Sequence, residues 1–164
     1  GWYVGKRPVF LIGLNQFDTE WLPDLLRLGG NLDTAGGGAA AFLMRNGPEL
    51  EAADIDVLVA NVRRRAELGI RSNVLFGHRM PKWITEEHPD ILEVEGHFMF
   101  YDIDHPAARR LTCRTIEAVA ASLRNEPGVT CYDLWNEAAF NRMSERGRQR
   151  FRNAMRGSTF ALKA

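Results

Sequence analysis

Asn136 and Glu137 close the largely apolar run Val129-Thr130-Cys131-Tyr132-Asp133-Leu134-Trp135, so a carboxyl group that can give and take a proton stands beside an amide that donates and accepts hydrogen bonds. That pairing suits acid catalysis on a polyol. Other polar residues follow apolar runs in the same way, Asn15 and Gln16 after residues 8–14, and His78 and Arg79 after residues 70–76. Trp83, close behind them, offers an indole platform for the apolar face of a sugar ring. Plain structural roles are open to the same residues. Trp83 would serve as a core anchor, His78 as a backbone cap, Arg79 as a surface cation, and Glu137 as a first-turn acid favoured by a helix dipole.

The hydropathy pattern says what must position them. Pro8-Val9-Phe10-Leu11-Ile12-Gly13-Leu14 has the length of a buried strand, and Asp18 or Thr19 then caps a helix holding Trp21, Leu22, Leu25, Leu26 and Leu28. Gly29-Gly30 stops that helix, and Asn31-Leu32-Asp33-Thr34 forms a weaker second strand. The Gly36-Gly37-Gly38 loop lacks a Gly-Lys-Ser/Thr ending and the spacing of a nucleotide fingerprint, which argues against a phosphate cradle. From Asp54 to Leu68, Ile55, Leu58, Val59, Val62 and Ala66 make the stripe of an amphipathic helix, with Gly69 at its stop. A third strand runs to Phe76, and a long excursion occupies residues 77–104. His105-Pro106 then opens a helix whose packing face is Ala108, Leu111, Thr115, Val119 and Leu123. Asn125-Glu126-Pro127-Gly128 turns into the fourth strand, and a fourth helix covers residues 144–155 with Ser144 as its N-cap.

Strand and helix alternate four times, each helix long enough to return between parallel neighbours, so the fold class is α/β with right-handed crossovers. There is neither an internal repeat nor a domain linker. A four-stranded open sheet and half of an eightfold barrel both fit. A complete barrel takes roughly 250 residues, more than the 164 here. In a barrel, the residues that follow the strands would share one rim.

Composition narrows the function classes. Lysine plus arginine equals aspartate plus glutamate at 21 each, so no overall field favours nucleic acid, and the local basic runs Arg63-Arg64-Arg65 and residues 142–156 read as solvated helix faces. The apolar runs are too short to span a bilayer, and nothing at the start has the pattern of a secretory leader, so the chain reads as soluble. Gly1 in place of methionine is the mark of a start that was processed, tagged or cut from something longer, and it leaves the compartment open, a cytoplasmic one included. Cys113 and Cys131 read as small buried thiols, and the four histidines lack metal-ligand spacing.

Leu134-Trp135-Asn136-Glu137 resembles the fourth-strand signature of the clan A glycoside hydrolases, in which a Trp-Asn-Glu or similar triplet holds the acid/base glutamate. Pro81-Lys82-Trp83-Ile84 and His88-Pro89-Asp90-Ile91-Leu92 are similar to the Pro-x-Trp-Leu and His-Pro-Glu-Ile-Leu stretch after the third strand of the family 42 β-galactosidases. Asp104-His105-Pro106-x-x-Arg109 is similar to that group as well, as is the stretch from Phe151-Arg152 to Leu162. The resemblance is strongest from Gly69 to Phe140. One departure stands out: the clan usually carries an arginine at the end of the second strand, where this chain has Leu32-Asp33-Thr34-Ala35-Gly36.

The resemblance implies a (β/α)8 TIM barrel of which residues 1–164 are the amino-terminal half, roughly its first four β/α units. It implies Glu137 as general acid/base and Asn136 as the amide on the sugar 2-hydroxyl, with His78, Arg79, Trp83 and Asn15 as further substrate-binding positions. A protonated carboxyl serves the leaving oxygen and then activates water, while the 2-hydroxyl contact strengthens as oxocarbenium character develops. The nucleophile of this clan belongs to the seventh strand, which the chain does not reach. Glu86, Glu87, Glu93 and Glu95 are expected to be solvated rather than to replace it. The isolated chain is therefore expected to be inactive, with no cofactor and no metal. Its partners would be a carbohydrate and the remaining half of the barrel or a second copy, not nucleic acid or membrane. The alternatives are a noncatalytic carbohydrate-binding or self-associating half-barrel, and an unrelated open α/β enzyme or nucleotide binder, against which the missing glycine fingerprint counts.

Overall fold

The computed structural model describes residues 2–14, 19–35, 40–77, 79–92, 95–97, 100–134, 139–142 and 144–157. The expected first strand over residues 8–14 is split. β1 (Trp2–Val4) and β2 (Arg7–Val9) form an antiparallel hairpin, turned at Gly5 with φ +60°, and only β3 (Gly13–Leu14) enters the main sheet. Pro8 falls within this two-stranded hairpin, outside the main sheet, where a missing N–H is tolerated. Asn31 bridges the gap, its side chain accepting from the Ile12 N–H and donating to the Phe10 carbonyl.

The main sheet holds β3, β4 (Leu32–Ala35), β5 (Arg71–Leu75) and β7 (Val129–Asp133), all parallel and in the order of the chain. A doubly wound sheet reverses its strand order at a switch point. No reversal occurs here, and the sequential order is that of successive units around a barrel.

Between these strands run α1 (Leu22–Arg27), the short α2 (Ala40–Leu43), α3 (Ala52–Glu67), α4 (Lys82–Glu87) and α5 (Pro106–Leu123). The expected stops of α1 and α3 fall at Gly29 and Gly69, with φ +83° and +81°. Each glycine N–H returns to a carbonyl of the last turn, Gly29 to Leu26 and Gly69 to Ala66, and the residue after it reaches one position further back. A side chain at either position would be strained in this left-handed conformation.

α3 and α5 touch each other and cover one face of the sheet, with Leu58, Val62, Val74, Phe76, Ala108, Leu111, Val119 and Leu123 in a single core. The expected face of α5 is buried in full, Thr115 included. Its Oγ1 donates to the Leu111 carbonyl, which removes the cost of burying a hydroxyl. A smaller cluster of Leu22, Leu25 and Ile70 seats α1. Each buried Leu or Val contributes about 1.5–3 kcal/mol before chain entropy is charged against it.

Two readings of polar residues are corrected. Arg65 is not on a solvated face, because it continues the buried Asp54, Leu58, Val62 stripe of α3 and meets Asp33. Cys113 is exposed, since two helical steps from Leu111 carry it to the far side of α5. Cys131 is half-buried in β7, close to its expected setting. No described helix is long and apolar enough to cross a membrane.

Candidate active site

Because the main sheet is parallel, the carboxyl ends of its strands lie along one edge. Leu14 at the end of β3 leads directly into Asn15, Leu75 at the end of β5 into Phe76, Gly77 and His78, and Asp133 at the end of β7 into the Leu134–Glu137 segment. Asn15, His78, Asn136 and Glu137 themselves lie outside the described residues, while the strand ends that lead into them are fixed by the ladder. Leu75 is level with Asp133, and the Phe76 N–H donates to the Asp133 carbonyl at 2.8 Å.

Alternation along the strands sorts the rest of this edge. Asp33, Ala35, Val74 and Phe76 face the helices. Thr34, Asn73 and Cys131 share one register row on the opposite face, and the Cys131 thiol donates to Asn73 Oδ1 at 3.2 Å. Burial, aided by the negative charge of Asp133, pushes that thiol above its ordinary range. Thr34, Asn73 and Asp133 are polar residues of the face turned away from the helices, and the sequence pattern does not mark them.

Two sequence-predicted site residues can be placed. Trp83, the second residue of α4, packs against the main core, and its indole N–H donates to the Met44 carbonyl at 2.7 Å. With that N–H engaged, its ring face is what remains for a ligand. It borders a groove of 320 Å³ with Pro48, Glu87, His88 and Arg110. Arg79 is exposed, and its guanidinium carbon lies 4.7 Å from the centre of the Phe100 ring, a cation–π contact within the third excursion. Glu86 and Glu87 are exposed, as expected.

The third excursion is built further than its sequence suggested. A short 3-10 turn spans Pro89–Leu92, and β6 (Glu95–His97) pairs antiparallel with β8 (Ala139–Arg142). β8 begins two positions after Glu137. The backbone following the Asn-Glu pair is thereby joined to the excursion that carries Arg79 and Trp83.

Charged groups reinforce this junction. α6 (Glu145–Gly157) is capped as expected, with the Gly147 N–H donating to Ser144 Oγ at 3.0 Å. Arg146 in its first turn binds Asp90 and also Asp102, the latter at 3.2 Å, and Arg150 binds Asp104. These arginines of the 142–156 run are therefore engaged rather than simply solvated. Burial opposes ionisation of Asp90, but the Arg146 hydrogen bond and the positive charge beside it hold its carboxyl below the usual range.

His88, Asp90 and His105 have donor atoms within 4.8 Å of one another, a grouping that sequence spacing did not disclose. Its hydrogen bonds suit an ion-pair network better than a metal centre. The Ala107 N–H donates to His105 Nδ1, so the neutral ring keeps its proton on Nε2, which faces Asp90 Oδ2 at 3.4 Å. Arg146 occupies the same carboxylate.

No family model and no curated relative matches the chain. Solved structures do. A cold-adapted β-galactosidase from Rahnella sp. R3 superposes with a TM-score of 0.70 at 17% identity, over 89% of this chain and 24% of that one. A catalytic mutant of Gan42B, a GH42 β-galactosidase from G. stearothermophilus, gives 0.63 at 18% identity over the same shares of 89% and 24%. A GH5_18 protein from Bifidobacterium longum subsp. infantis gives 0.56 at 17% identity, over 72% and 27%. The chain thus spans about a quarter of the length of these glycoside hydrolase structures. Its fold is that of part of an α/β barrel, as in these structures.

Proposed function

We propose that the chain is the amino-terminal half of a retaining β-glycosidase barrel, β-galactosidase-like, with Glu137 as general acid/base. The observation that carries this reading is the sequential parallel sheet, whose carboxyl edge leads into Asn15, His78 and the Asn136-Glu137 pair. The glycoside hydrolase neighbours, found over most of this chain, support it.

In this reading Glu137 gives its proton to the leaving oxygen and then takes one from water, and Asn136 holds the 2-hydroxyl as charge develops on the ring. In the same reading Asn15, His78, Arg79 and Trp83 are further substrate-binding positions, Asn15 and His78 following β3 and β5 along the chain. The second carboxylate would come from the remaining half of the barrel, so the 164-residue chain alone does not turn over substrate.

The test uses a protein in which the barrel is complete. Glu137→Gln is expected to abolish hydrolysis of glycosides with poor leaving groups, while activated aryl glycosides still glycosylate the enzyme. Equal losses for both would sink the acid/base assignment.

A second reading is a self-associating or noncatalytic sugar-binding half-barrel. It is favoured by Leu134, 57% exposed just beyond the edge strand β7, and by Phe151 and Met155 of α6, 61% and 56% exposed. Analytical ultracentrifugation of the chain separates the two, because a stable dimer supports this second reading, whereas aggregation or a poorly folded monomer supports the fragment.

A further inference from the structure

We propose that Arg146 is a positioning residue: it locks the excursion after β7 to the excursion after β5, and so fixes the backbone frame from which the acid/base acts. This rests on the proposed function for its catalytic meaning, but its geometry stands alone.

α6 has an unusual mode of attachment. Its residues from Arg148 to Arg156 are exposed, Phe151 and Met155 among them, so apolar burial does little to seat the described part of the helix. Its described links to the body include Arg146 to Asp90 and Asp102, and Arg150 to Asp104. The receiving end is buried and hydrogen-bonded. Asp102 is buried, its N–H donates to the Ile91 carbonyl at 2.6 Å, and its Oδ1 accepts from the Asp104 N–H at 2.9 Å.

Asp90 is further held by His105, the N-cap of α5. A single guanidinium thus joins the 3-10 turn, the approach to α5 and the first turn of α6. Arginine suits this role because its planar fork can face two carboxylates at once, whereas lysine offers a point charge. The β6–β8 ladder ties the same two excursions together through backbone hydrogen bonds. Between these two fastenings stands the short path from β8 to Ser144, and just before them stands the Asn-Glu pair.

Arg148 provides the internal control, since its described ion pair is with Glu145 of its own helix. Amide hydrogen exchange of the 164-residue chain is compared for the parent, Arg146→Gln, Arg146→Lys and Arg148→Gln. In the same proteins the Glu137 carboxyl is followed by carbon NMR against pH, its signal being assigned by its loss in Glu137→Gln.

Arg146→Gln is expected to speed exchange about tenfold in residues 95–97 and 139–142, with β4 and β5 unchanged. It is also expected to move the Glu137 titration midpoint. Arg146→Lys should lie between it and the parent, and Arg148→Gln should match the parent. If Arg146→Gln does not fold, Asp102→Asn removes one end of the contact and is read in the same way. A Glu137 signal that titrates identically with and without Arg146 overturns the proposal, even where exchange increases. That outcome is distinct from failure of the glycosidase reading, which the substrate experiment on Glu137→Gln decides.

Discussion

Arg65 Nε of α3 donates to Asp33 Oδ2 of β4 at 2.8 Å, and both residues are almost fully buried, at 5% and 0% exposure. A cation and an anion from different layers thus join the helix layer to β4, the neighbour of β5 in the main sheet. Removing one member of such a pair strips the other of its compensation, typically at about 3–5 kcal/mol, whereas replacing both by apolar residues is often close to neutral. Arg65→Met is therefore expected to lower stability by about that amount in urea denaturation, and Arg65→Met with Asp33→Leu to recover most of it. Equal stability of Arg65→Met and the parent would contradict the assignment.

The Arg63–Glu126 pair predicts a pH dependence. Arg63 Nη2 lies 2.7 Å from Glu126 Oε1, fastening α3 to the turn before β7, and this hydrogen bond with its charge holds the Glu126 carboxyl below its usual range. A carboxylate depressed in the folded state stabilises the fold above its unfolded pKa, and that contribution is lost as pH falls through the folded value. Glu126→Gln should therefore lower the Tm at pH 7 and leave it nearly unchanged at pH 2.5. A Tm difference of the same size at both pH values would refute the linkage.

The two thiols should react at different rates. Cys113 is exposed on α5, while Cys131 is half-buried, bonded to Asn73, and raised by burial and by Asp133. Thiolate is the reacting form, so Ellman's reagent at pH 8 should give a fast phase lost in Cys113→Ala and a slow phase lost in Cys131→Ala. Asp133→Asn should speed only the slow phase.

Packing on α5 gives the last test. Leu111 is buried in the main core, and truncation to alanine removes apolar contacts and leaves a cavity costing about 2–5 kcal/mol. Glu117→Ala on the exposed side of the same helix should cost less than about 0.5 kcal/mol. Comparable losses for the two would mean that the helix is seated differently.

Local patterns foretold much of the scaffold. The stripe from Ala108 to Leu123, the stops at Gly29 and Gly69 and the Ser144 cap depend on residues within a few positions of one another, where helical period and backbone geometry act directly. The split of residues 8–14 is hidden by their continuous apolar character, which does not show where one strand ends and the next begins. The charge of Arg65 points to solvent, whereas its place on the stripe of Asp54, Leu58 and Val62 puts it inside.

The sequence by itself determined the alternation of strands and helices, the apolar faces, and the placing of Asn15, His78 and the Asn136-Glu137 pair just after strands. Those features follow from period and propensity along the chain. Only the tertiary structure decided that the four strands stand in sequential parallel order, that Asp33 meets Arg65, and that Arg146 gathers Asp90 and Asp102 beside the β6–β8 ladder. Ladder register and charge pairing join residues tens of positions apart, and no local period encodes which partner each will find.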